Sequence, residues 1–125
     1  MMSSKKRLEE VFAGRIPDKV PHFELVFQLE KEVFGNSWPT YEQMSKASPK
    51  EREYLLEEYF EIWELILEKY QWSAIQLPCN LHGYFDGKII PEGKKRFGDR
   101  AMIYDFNGSG TFWMPTGSEM EEFYV

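Results

Sequence analysis

Residues 48–78 constrain the fold more than any other stretch of the chain. Ser48 has the side chain of a helix N-cap, Pro49 suits the first helical position, and Glu51 completes a capping box. Leu55, Leu56, Tyr59, Phe60, Trp63, Ile66, Leu67 and Tyr70 then recur at helical spacing. Glu57, Glu58, Glu61, Glu64, Glu68 and Lys69 fall largely off that stripe. The pattern predicts one long amphipathic helix ending near Tyr70. Ser73-Ala74-Ile75-Gln76-Leu77-Pro78 follows and reads as a short strand entering a sheet. A long helix feeding a strand is half of a β-α-β crossover.

The flanking segments extend this pattern. Ser4 is placed to cap a short helix running to Ala13, with Leu8, Val11 and Phe12 on its apolar side and Gly14 to end it. Pro17 and Pro21 forbid its continuation and favour an extended connection. Residues 22–27 read as a strand, with Phe23, Leu25 and Phe27 facing one way and His22, Glu24 and Val26 the other. Residues 28–34 read as a short helix stopped by Gly35, and residues 36–39 as a turn. Thr40 and Gln43 have capping-box spacing, so a helical turn is expected over residues 41–46.

Beyond Pro78, Asp86-Gly87 marks a turn, residues 92–97 a short helix, and residues 101–106 a third strand. Asn107-Gly108-Ser109-Gly110 reads as a polar loop, Phe112-Trp113-Met114-Pro115 as an apolar segment, and residues 119–125 as the start of another helix. Strands alternating with helices predict an α/β protein with a parallel sheet. A sheet of three strands leaves both edges open, so self-association or a companion chain is expected.

Composition narrows the function classes. A chain of 125 residues holds one domain, and 42% apolar with 29% charged residues is ordinary for a folded protein. The net charge is −6, and the basic runs Lys5-Lys6-Arg7 and Lys94-Lys95-Arg96 are short, which disfavours nucleic-acid binding. No apolar run reaches membrane-spanning length. The basic N-terminus leads into Leu8-Glu9-Glu10-Val11 and not into an apolar signal core. Cys79 has no second cysteine to pair with, in keeping with a reducing compartment, so the cytoplasm is the expected location. Aromatic residues make up 17%, a supply suited to a bulky core, a flat ligand site or a large interface.

Motifs for chemistry are sparse. Cys79-x-x-His82 offers two metal ligands where a structural zinc site needs four, so it reads as a loop thiol and a loop histidine. Asn107-Gly108-Ser109-Gly110 lacks the lysine and spacing of a phosphate-binding loop and reads as a turn. The stronger argument is positional. In parallel α/β folds, ligands sit at the carboxyl ends of strands. Those ends supply Glu24, Gln76, Asn80, Asp105 and Asn107, carboxylate and amide side chains suited to a polar-ligand pocket.

Arg7-Leu8-Glu9-Glu10-Val11-Phe12-Ala13-Gly14-Arg15-Ile16-Pro17-Asp18-Lys19-Val20-Pro21 resembles the opening of the uroporphyrinogen decarboxylase superfamily. Phe97-Gly98-Asp99-Arg100-Ala101-Met102-Ile103 and Gly110-Thr111-Phe112-Trp113-Met114-Pro115 are similar to members of the branch related to cobalamin-dependent methyltransferases. The resemblance implies a (β/α)8 TIM barrel, of which this chain would be the N-terminal part: leading helices and about three parallel strands. It implies corrinoid-dependent methyl transfer or tetrapyrrole decarboxylation, with a corrinoid and zinc belonging to a full-length protein. No cofactor is assigned to this chain itself. Decarboxylases of the family carry two arginines after the first strand, at positions matching Val26 and Glu30 here. Neither residue can hold a substrate carboxylate as arginine does. The resemblance therefore points toward methyl transfer, with a small molecule, a tetrapyrrole or a corrinoid as ligand.

Overall fold

The long helix forms as its sequence predicts. In the computed structural model, which describes residues 1–77, 85 and 87–104, α4 spans Pro49–Tyr70. Both halves of its capping box are made: the Glu51 amide donates to Ser48 Oγ at 3.4 Å, and the Ser48 amide donates to Glu51 Oε2 at 2.7 Å. The Gln71 N–H makes the last i to i−4 bond, to the Leu67 carbonyl at 3.0 Å, and the left-handed φ of 53° at Gln71 then turns the chain out of the helix.

Shorter helices surround it. The first three are α1 (Ser4–Phe12), α2 (Glu30–Phe34) and α3 (Tyr41–Lys46). Ser3, not Ser4, caps α1, accepting from the Lys6 amide at 3.2 Å. Gly35 ends α2 at φ 74°, and Thr40 with Gln43 forms the capping box of α3. Helix α5 spans Ile89–Phe97, three residues longer at its start than the sequence suggests. Pro91 stands in its first turn, where no intrahelical N–H is lost.

The sheet is small. Strand β1 (Ala74–Gln76) pairs in parallel with β2 (Met102–Tyr104), with Ile75 opposite Ile103. The expectation of about three parallel strands from a TIM barrel is therefore corrected: helices dominate, and the two short strands make the whole described sheet. The missing strand is residues 22–27. Among the described residues that segment makes one backbone contact of ladder type, from the Ser73 amide to the His22 carbonyl at 2.7 Å, and it bends at Leu25. Farther along, the Phe27 carbonyl accepts from the Trp38 indole, so a side chain takes the place of a neighbouring strand. The alternating pattern is also not used to bury one face, since Phe23 and Leu25 both remain exposed.

The core lies between α4, the sheet and α5. Leu56, Phe60, Ile66, Trp72, Ile75, Leu77, Ile89 and Phe97 are buried together. Ile62, at the edge of the apolar stripe beside Leu55 and Ile66, is 1% exposed, so α4 is buried over a wider arc than the stripe alone. Gly93 lets α5 approach the end of β1: an added Cβ would stand 2.1 Å from Leu77 Cδ1. Arg96 pairs with Glu57 and lies 5.0 Å from the Phe60 ring, while Arg100 grips Glu64 through two bonds of 2.6 Å. These pairs tie α5 and the following turn to α4.

The turn after α1 is held by ions. Arg7 Nε donates to Asp18 Oδ1 at 2.7 Å, and the Met2 amide donates to Asp18 Oδ2 at 3.2 Å. Glu10 accepts from Arg15 and pairs with Lys6 at 3.1 Å. The Arg7 hydrogen bond, with help from the Met2 and Lys19 amides, holds the Asp18 carboxyl at about 2. Hydrogen bonds from Arg15 and then Lys6 lower Glu10 likewise to about 2. Residues 7–21, which carry the first part of the sequence resemblance, thus form a structural clasp.

Candidate functional site

Residues 25–28 run as a ridge with a groove on either side. The ridge is held by Trp38, whose indole N–H donates to the Phe27 carbonyl at 2.9 Å. One groove, of about 330 Å³, lies between the ridge and α4. Its walls are Leu25, Phe27, Trp38, Tyr59 and Trp63, with the Gln76 side chain at the carboxyl end of β1. The Trp38 ring lies 5.2 Å from Tyr59 and 5.4 Å from Trp63, centroid to centroid. Such tilted contacts fix ring positions beyond what burial alone does.

Two polar groups stand within this aromatic wall. Burial raises the pKa of the Tyr59 hydroxyl, and the nearby Trp63 indole offsets this in part, so the phenol stays protonated. The Trp63 indole nitrogen is buried and makes no hydrogen bond of normal geometry. A buried donor left without a full partner costs free energy and favours an acceptor brought close.

The second groove, of about 430 Å³, lies on the other side of the ridge. Phe27, Tyr70 and Trp72 wall it, and Glu24 and His22 stand at its rim. His22 Nε2 lies 3.5 Å from Glu24 Oε1.

Two of the predicted site residues, Gln76 and Glu24, are among the described residues, and they line different grooves. Gln76 lines the first groove and Glu24 the second, with Phe27 and Gln28 between them. Asn80, Asp105 and Asn107 lie outside the described residues, as do Cys79, His82 and the loop 107–110. Val26, one of the two positions matching the family arginines, is exposed on the ridge, and Glu30 opens α2. Among the described residues, no three His, Cys, Asp or Glu side chains come together on a metal. No described helix is long and apolar enough to cross a membrane.

Sequence reasoning missed Trp38 and Phe27 as site walls. Reading residues 36–39 as a turn gave Trp38 no packing role, and reading 22–27 as a strand sent Phe27 to a sheet face. The aromatic content was the available signal. Compared with known proteins, the chain matches no family model, no curated protein and no solved structure.

Proposed function

We propose that this chain binds a small, flat, largely apolar organic molecule in the groove beside Trp38. The observation that supports this is the aromatic wall of Trp38, Tyr59 and Trp63 meeting the Gln76 amide at the end of β1. Ring faces favour a planar ligand, and one amide fixes its orientation. The volume is at the lower end of the range that holds drug-sized ligands, which suits one or two rings better than a macrocycle. The reading is one of binding: Glu24 and His22 line the adjoining groove instead.

Naphthamide is a suitable probe, a two-ring molecule with one amide. At about −0.3 kcal/mol per heavy atom it should bind with a Kd on the order of 1 mM. Trp38→Ala and Gln76→Ala should each weaken it, read by NMR shifts of the indole signals. Equal binding by wild type and both variants overturns the reading.

A second reading rests on exposed apolar side chains. Ile16 is 94% exposed, Val20 88% and Leu25 63%. Exposed apolar side chains gathered in one stretch of chain are candidates for a contact surface. The occupant that fits is a second copy of the chain. Lys19 and Glu24 bracket Val20 and Phe23, so an antiparallel two-fold pairing sets Lys19 of one copy against Glu24 of the other. Sedimentation should show a dimer that Lys19→Glu disrupts and Lys19→Glu with Glu24→Lys restores. A monomer at all concentrations sinks this reading.

A further inference from the structure

The second groove has a different chemistry from the first. Its walls are aromatic: Phe27 packs on Tyr70 at 5.6 Å in a tilted contact and on Trp72 at 5.9 Å edge to face, centroid to centroid. Trp72 is buried and forms the floor. Glu24 stands at the rim with its carboxylate more than half exposed. Aromatic faces carry partial negative charge, and a carboxylate adds a full one. A small inorganic cation would have to shed tightly held water to reach the rings. An organic ammonium carries its charge within apolar methyl or methylene groups, so it gains from rings and carboxylate together.

We propose that the groove walled by Phe27, Tyr70 and Trp72, with Glu24 at its rim, binds an organic ammonium group. Lys69 provides an internal precedent. Its Nζ lies 6.0 Å from the Tyr70 ring centroid, the outer limit of a useful cation–π contact. Removing the Lys69 charge beside that ring should strengthen binding of an external ammonium. His22 flanks the carboxylate and sets the second edge of the rim. This site shares the ridge residues Val26, Phe27 and Gln28 with the Trp38 groove but lies on their other side, and the proposal does not rest on that groove's ligand.

The test is a titration of the full chain with choline chloride, followed by NMR of the Trp72 and Tyr70 signals. Sodium chloride controls for ionic strength, and dimethylbutanol, the neutral carbon isostere of choline, controls for shape. Choline should produce saturable shifts, at an affinity well above that of the alcohol. Glu24→Gln should weaken choline by about threefold, as should Tyr70→Leu, while Lys69→Met should strengthen it. Glu24 and Lys69 are exposed, so both variants keep the fold. Equal affinity for choline and its isostere overturns the proposal. So does a Glu24→Gln variant that binds choline as wild type does, or a response confined to Trp38.

Discussion

The Trp38 indole N–H and the Phe27 carbonyl oxygen are hydrogen-bonded at 2.9 Å, across eleven positions of chain. This bond spans α2 and fixes the ridge that separates the two grooves. Trp38→Phe keeps a ring in place but leaves the Phe27 carbonyl without its donor. The expected loss of stability is about 1 kcal/mol by urea denaturation. Trp38→Ala also removes the contacts to Tyr59 and Trp63 and should cost about 3 kcal/mol. If the two variants lose the same amount, the ring contacts contribute nothing and the groove is not held as described.

Acid should loosen the turn after α1. Asp18 and Glu10 have folded-state pKa values of about 2, below their ordinary values near 4. A depressed carboxylate adds stability above its unfolded pKa and loses it as pH falls through the folded one. The contribution is therefore complete above about pH 5 and is lost progressively as pH falls to and through about 2. Asp18→Asn removes one of the two groups. The Tm difference between wild type and this variant should shrink steadily across that window. A difference that stays constant with pH would show that the Arg7–Asp18 pair does not carry the effect.

Gly93 is the point where α5 meets the end of β1. In an open helix, Gly→Ala is stabilising by about 1 kcal/mol. Here the new methyl meets Leu77 Cδ1, and Leu77 is fully buried and unable to swing into water. Overpacking costs about 1–3 kcal/mol, so Gly93→Ala should be destabilising. The double-mutant cycle with Leu77→Ala checks the cause. Leu77→Ala makes room, so the combined loss should be smaller than the sum of the single losses. Additive losses would place the strain elsewhere.

Local chemistry made the helices legible. Ser48 with Glu51 and Thr40 with Gln43 specify capping boxes through contacts three residues apart, and both boxes form. Gly35 ends α2 because the left-handed region is open to glycine. The first strand was not legible for the opposite reason. Alternation in residues 22–27 matches a half-buried strand, but a strand also needs neighbours along its length. Whether Phe27 bonds to a strand or to Trp38 is decided across eleven positions, and no local pattern records that choice. The site shares this limit. Gln76 and Glu24 both sit where strand ends were expected, yet the ridge of residues 25–28 puts them in separate grooves.

Ile62 tests how far the apolar stripe of α4 describes its burial. A helix with one buried face would leave this position near the boundary, flanked by the exposed Glu61 and next to Trp63. Ile62 is instead 1% exposed and belongs to the same core cluster as Trp63 and Ile66. The helix is therefore covered over a wider arc than its stripe. Ile62→Ala removes buried methyl groups and leaves a cavity, a change that costs about 2–5 kcal/mol in a packed core. Glu61→Ala, one position away on the exposed side, should change stability by less than about 0.5 kcal/mol. Urea denaturation of both variants makes the comparison. A small loss for Ile62→Ala would mean that side of α4 is loosely covered, and that the stripe alone carries the core.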